Sequence, residues 1–211
     1  IMITALRPDT LSFLCEIAAV FSFLFWLKNK NNRTLIGVSF LFSLALLTKL
    51  NTLGGVVGIL LFLFFSKNWR AFCLLGVSTA FFSLLGFGTL WIILGKVFSQ
   101  NILLSIQSRP WTFLESIEVY KKVFDLFLIP LGFYFFLVIW GLRLLNWKEA
   151  SRAMAWVLSL SFLLAFLGQM KWGAFHNYFL GVLYLGAIPA SCAIHQLKNQ
   201  APRTTLFFVL A

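Results

Sequence analysis

Apolar residues run along this chain in long blocks separated by short polar breaks, and within the blocks they do not alternate with polar positions. The blocks are read at Thr10–Leu27, Thr34–Thr48, Thr52–Phe65, Ala71–Leu94, Val123–Leu145, Ala153–Met170 and Tyr178–Ile194, with a further one opening at Thr204 and cut off at Ala211. A hydrocarbon core about 30 Å thick takes roughly 20 helical residues, and continuous runs of this kind predict helices rather than a barrel. The expected fold is all-α, a polytopic transmembrane helix bundle of about seven complete spans plus the truncated one, forming a single domain over residues 1–211. Residues 95–122 are expected as an extracytoplasmic loop. Within it Trp111, Leu114, Ile117 and Glu118 have helical spacing, which fits an amphipathic segment lying on the membrane surface and fits a plain loop equally well.

Composition strengthens this reading. Of the 211 residues, 61% are hydrophobic and 11% charged, whereas a soluble domain typically carries about 25% charged residues. There is too little polar material to coat a globule. Lys and Arg together number 17 against 6 acidic residues, an excess that in a soluble protein would point to nucleic acid. Here the basic residues cluster in short breaks between apolar blocks, so membrane topology explains them and no nucleic-acid partner is expected. Cys15, Cys73 and Cys192 lie inside apolar blocks without metal-ligand spacing and read as small hydrophobes.

The positive charge also sets an orientation. Lys28, Lys30 and Arg33, then Lys67 and Arg70, then Arg143, Lys148 and Arg152, then Lys198 and Arg203 occupy alternate breaks. This dense set marks the cytoplasmic side. Trp26, Trp69 and Trp147 then belong to the cytoplasmic interface, and Trp91, Trp111 and Trp172 to the outer one.

Ionisable groups at membrane depth need a cavity or a partner. Lys49 stands at the tip of a segment, Thr34–Phe65, that must cross twice with arms of about 15 residues. At 1.5 Å per residue each arm spans only about 22 Å, so Lys49 is expected on the outer side but below the surface. Arg7-Pro8-Asp9-Thr10 opens the first span on that side, where Asp9 could simply cap the helix. Glu16 follows Asp9 by seven residues, about two turns, on the same helix face and about 10 Å deeper. Lys171 to Phe179, with His176, Asn177 and Tyr178, forms a third polar group on the outer side. Snorkelling of Lys49 and an interfacial belt around His176 are the plain structural readings of these groups. No metal pair is expected, because His195 belongs to the opposite side.

Cations at the outer lipid boundary suit a phosphate carried on a lipid, and a nearby carboxylate suits sugar hydroxyls or a proton from an attacking hydroxyl. In order, Arg7-Pro8-Asp9, then Leu46-Leu47-Thr48-Lys49, then Gly173-Ala174-Phe175-His176-Asn177-Tyr178-Phe179 resembles the GT-C class of membrane glycosyltransferases, in the branch of protein mannosyltransferases and aminoarabinose transferases. The likeness covers about residues 5–60 and 170–185, and Leu50 departs from the Gly or Gln that often follows Thr-Lys there. The resemblance implies inverting transfer from a polyprenyl-phosphate sugar to an acceptor on the extracytoplasmic face of the cell membrane, and no cofactor is expected. It implies that Lys49 contacts the lipid phosphate, that Asp9 lines the sugar site, and that His176, Asn177 and Tyr178 close the pocket. Arg7 and Glu16 complete the expected substrate-binding set. The family's catalytic carboxylate lies in its first extracytoplasmic loop, and no such acidic loop precedes Arg7. The base is therefore expected upstream of Ile1, with this chain a piece of a longer one. A transporter, flippase or lipid-linked saccharide polymerase, and a non-catalytic scaffold in which Gly37, Ser39, Gly54 and Gly55 only pack helices, are the competing readings.

Overall fold

The computed structural model describes residues 8–48, 53–98, 100, 132–145, 148–168 and 177–200. The helices longer than ten residues among these are α1 (Pro8–Asn29), α2 (Asn32–Thr48), α3 (Leu53–Phe65), α4 (Trp69–Leu94), α5 (Gly132–Leu144), α6 (Lys148–Gly168) and α7 (Asn177–Gln200). No strand occurs among the described residues. The all-α class is therefore observed, with helices where the apolar blocks lie. The long connection after 100, including Trp111–Tyr120, lies outside the described residues, as does the block from Thr204.

Local chemistry explains several helix ends. Asn31 Oδ1 accepts from the Arg33 N–H at the start of α2. Asn68 does the same for the Ala71 N–H at the start of α4, so that helix begins at Trp69, two residues before its apolar block. Both are asparagine side chains satisfying N–H groups that have no intrahelical acceptor. Gly95 ends α4 with a φ of 52°, a conformation that favours glycine, and its N–H donates to Trp91 C=O.

α1 and α2 form an antiparallel hairpin, α2 lies between α1 and α4, and α3 packs against α6. One core, built on Phe23, Leu35, Phe42, Ile59, Leu63 and Met154, joins the first four helices to α6. A smaller cluster of Leu137, Val138, Ala190 and Ala193 joins α5 to α7.

Close helix contacts depend on small residues. On α3, Gly54 and Gly58 stand four apart on one face. A Cβ at Gly58 would lie 2.6 Å from Val157 Cα on α6, and one at Gly54 would overlap Ser161. This is the small-xxx-small contact through which helix backbones approach one another. Hydroxyls join α2 to α4: Ser43 Oγ donates to Thr79 C=O at 3.0 Å, and Ser78 Oγ pairs with Ser39 Oγ at 2.6 Å.

The breaks after α1, α3 and α5 fall at one end of the bundle. Lys30 Nζ is 3.0 Å from Glu149 Oε2 at the start of α6, and it sits 4.9 Å from the centroid of the Trp26 ring. Phe65, the last residue of α3, stacks on Trp156 of α6 at 5.1 Å. Lys28, Lys30, Arg33, Lys67, Arg70, Lys148 and Arg152 all belong to this basic end. Trp69 is exposed there, but Trp26 is buried under Lys30 rather than facing outward. It has the helix position of an interfacial tryptophan and the surroundings of a core residue.

Two helices, Thr10–Asn29 and Trp69–Leu94, are long and apolar enough to cross a bilayer. α2, α3 and α5 are shorter apolar helices. Only Ala71, Leu75 and Thr79 of α4 are buried, while Val77, Leu84 and Ile92 are 70%, 73% and 84% exposed.

Candidate functional site

At the end opposite the basic loops lie the described residues of the motif-bearing segments, Asp9, Leu46–Thr48 and Asn177–Phe179. Ser12 Oγ donates to Ala45 C=O at 3.0 Å, which fixes the register of the α1–α2 hairpin. One helical turn further toward that end, Asp9 on α1 and Thr48 on α2 come to the same height. α7 begins beside them: Phe13 of α1 and Tyr184 of α7 have ring centroids 5.8 Å apart. The bare Cα of Gly181 faces the Phe13 ring, which a Cβ would approach to 3.0 Å. Asn177 and Tyr178 open α7 one turn before Gly181, so the starts of α1 and α7 and the end of α2 share one end of the bundle.

Glu16 is the one acidic side chain buried there among the described residues, 3% exposed. Its Oε1 accepts the Gly55 N–H at 2.9 Å. Gly55 is the third residue of α3, one of the first-turn N–H groups without an intrahelical acceptor, at the positive end of the helix dipole. The approach requires glycine, since a Cβ at position 55 would lie 2.6 Å from Glu16 Oε1 and 3.1 Å from the Phe42 ring. On the other side the Cα of Gly181 leaves room, a Cβ there standing 3.8 Å from Glu16 Oε2. The carboxylate is thus held in a seam of α1, α3 and α7, with α2 beneath it.

This contact also sets depth. α3 starts two residues above Gly55, whereas α2 ends at the level of Asp9, seven residues above Glu16. With the reach of the Glu16 side chain allowed for, α3 begins roughly one turn, about 5 Å, deeper than α2 ends. The short arms expected around position 49 are therefore present, 17 residues in α2 and 13 in α3.

Of the expected substrate-binding residues, Glu16 is described in full and lies in this seam. Asp9, Asn177 and Tyr178 are described as helical positions at the same end. Arg7, Lys49 and His176 lie outside the described residues. Two features were not foreseen from the residues. The Glu16–Gly55 bond joins groups 39 positions apart, and no local pattern announces it. The glycine pair was foreseen only as a place where backbones approach; in the structure Gly54 serves α6 and Gly55 serves Glu16. A signal for this did exist, because adjacent positions on a helix point about 100° apart and so face different neighbours. No protein-family model, curated protein or solved structure matches this chain.

Proposed function

We propose that this chain is the membrane-embedded part of an inverting glycosyltransferase of GT-C type, moving a sugar from a polyprenyl-phosphate donor to an acceptor on the extracytoplasmic side of the cell membrane. The observation that carries the reading is that the described residues of the three resembling segments, Asp9, Leu46–Thr48 and Asn177–Phe179, lie at one end of the helix bundle. The membrane setting is supported by the apolar surface of α4, from Val77 to Ile92. An exposed face of that size is rare on a soluble monomer and natural in lipid. Serine-to-carbonyl bonds and glycine contacts between helices are what association in hydrocarbon uses. In this reading the helices lie in the bilayer with the basic end in the cytoplasm, and the short α2 and α3 stop below the outer surface.

The proposed chemistry is the one the resemblance implies for these residues. Cations from Lys49 and Arg7 at the outer boundary neutralise charge on the lipid phosphate as it leaves the sugar, in a low-dielectric setting where such charges act strongly. Asp9 accepts hydrogen bonds from sugar hydroxyls, and His176, Asn177 and Tyr178 close the site from outside. Hydrocarbon around the bundle accommodates the polyprenyl tail.

Replacing Lys49 by Ala in the full-length protein tests this. Sugar transfer is expected to be lost while insertion and yield persist, and Lys49→Arg to retain part of the activity. Normal turnover in Lys49→Ala would remove position 49 from the mechanism. Helices as short as α2 and α3 are also used by transporters, so an unchanged transfer rate combined with impaired movement of the lipid-linked sugar would favour a flippase.

A further inference from the structure

We infer that Glu16 is a positioning residue, whose carboxylate pins the first turn of α3 to α1 and thereby sets how much deeper α3 begins than α2 ends. The kinetic part of this inference rests on the transferase reading; the structural part does not.

Glu16 is not placed like a group that reaches for substrate. It sits two turns inside α1, 3% exposed, and its Oε1 is already engaged by a backbone N–H. The seam is shaped for this engagement. A side chain at Gly55 would collide with the carboxylate, and a side chain at Gly181 would crowd the Phe13 ring on the opposite wall. The far face of α3 is clamped as well, with Gly54 and Gly58 directly on the α6 backbone at Ser161 and Val157. Between those two fixings α3 has little freedom to slide along its axis. Burying a carboxylate is costly unless it is bonded. A first-turn N–H in an apolar interior is costly unless it finds an acceptor. The bond satisfies the N–H and offsets part of the cost of burying the carboxyl group, so it constrains height. A leucine at position 16 would satisfy packing and leave the end of α3 without that constraint.

The test uses the full-length protein in lipid nanodiscs, with Cys15, Cys73 and Cys192 replaced and spin labels on Phe25→Cys of α1 and Leu53→Cys, the first residue of α3. Both positions are exposed. Glu16→Ala and Gly55→Ala are each expected to shift or broaden the label-to-label distance. Glu16→Gln, which keeps an oxygen able to accept the Gly55 N–H, should preserve it. In transfer assays with a defined polyprenyl-phosphate sugar, Glu16→Ala and Gly55→Ala should raise KM for the lipid donor about tenfold or more. KM for the acceptor should stay unchanged, Glu16→Gln should remain near the parent, and the double variant should be no worse than either single one. General loss of folding would instead lower the yield of active protein without selecting the donor. The inference is overturned if Glu16→Gln is as impaired as Glu16→Ala while Gly55→Ala keeps the parental distance and donor KM. In that event Glu16 acts on substrate directly. Should the alanine variant fail to insert, Glu16→Gln decides alone: near-parental donor KM supports positioning, and loss comparable to Lys49→Ala refutes it. Expected distance changes without any sugar transfer in the parent would uphold the pinning of α3 and remove the transferase reading.

Discussion

The contact of α3 with α6 is the sharpest place to test the packing. A methyl group at position 58 would lie 2.6 Å from Val157 Cα, 2.9 Å from its nitrogen and 3.0 Å from Trp156 O. All three are backbone atoms, so no side chain can rotate away. To reach ordinary contact the helices must separate by roughly 1 Å, and a gap of that size forfeits a quarter to a half of the attraction between facing atoms. Ile59, Phe62 and Leu63 on α3 and Met154 on α6, all buried in the same core, would lose part of their packing together. Gly58→Ala should therefore cost about 1–3 kcal/mol, the usual range for overpacking. At roughly 2–4 °C per kcal/mol, the thermal midpoint should fall by several degrees. The assay is thermal unfolding in nanodiscs followed by circular dichroism, with Gly37→Ala as comparison. At Gly37 a Cβ meets nothing within 4 Å, and alanine is the better helix former by about 1 kcal/mol. That variant should match or exceed the parent. If Gly58→Ala proves as stable as Gly37→Ala, the α3–α6 backbone contact does not exist as described.

Further outcomes follow from other contacts. Ser43→Ala removes the donor to Thr79 C=O and should lower stability by about 0.5–1.5 kcal/mol, as hydroxyl bonds between membrane helices do; a neutral result in the same unfolding assay would deny the α2–α4 bond a stabilising role. Exchanging the charges of Lys30 and Glu149, both about half exposed, should change stability by less than about 1 kcal/mol, and a larger loss would mean the pair is shielded from water. Cysteines introduced at Asn31, Ser66 and Glu149 should react with an impermeant thiol reagent from one side of the membrane, and one at Gln100 from the other. Labelling of Gln100 from the same side as the rest would invert part of the topology.

The sequence carried the helices well because continuous apolar blocks leave few alternatives in their length range. Boundaries moved where polar residues extend a helix beyond its apolar block: α6 begins at Lys148, five residues before Ala153, α7 runs to Gln200, six past Ile194, and Asn68 draws the start of α4 back to Trp69, while Asn31 supports the start of α2 at Asn32. The grouping of the chain ends could also be read, because alternate basic breaks imply which helix ends lie together, and the Lys30–Glu149 contact joins two of them. What could not be read was depth. The bond from Gly55 to Glu16 depends on how far α3 slides along α1, a tertiary quantity set partly by Gly54 and Gly58 against α6. Trp26 shows the same limit. Its place at a helix end is that of an interfacial residue, and only the packing of Phe23 and Lys30 around it makes it a core residue.

The central claim concerns the substrate, and the pool of lipid-linked sugars reports on it most directly. Mass spectrometry of membranes from cells lacking the parent gene should show a polyprenyl-phosphate sugar accumulating, cleared by the wild-type gene and not by one encoding Lys49→Ala. An unaltered pool in the deletion strain, or full clearance by the Lys49→Ala gene, would contradict it.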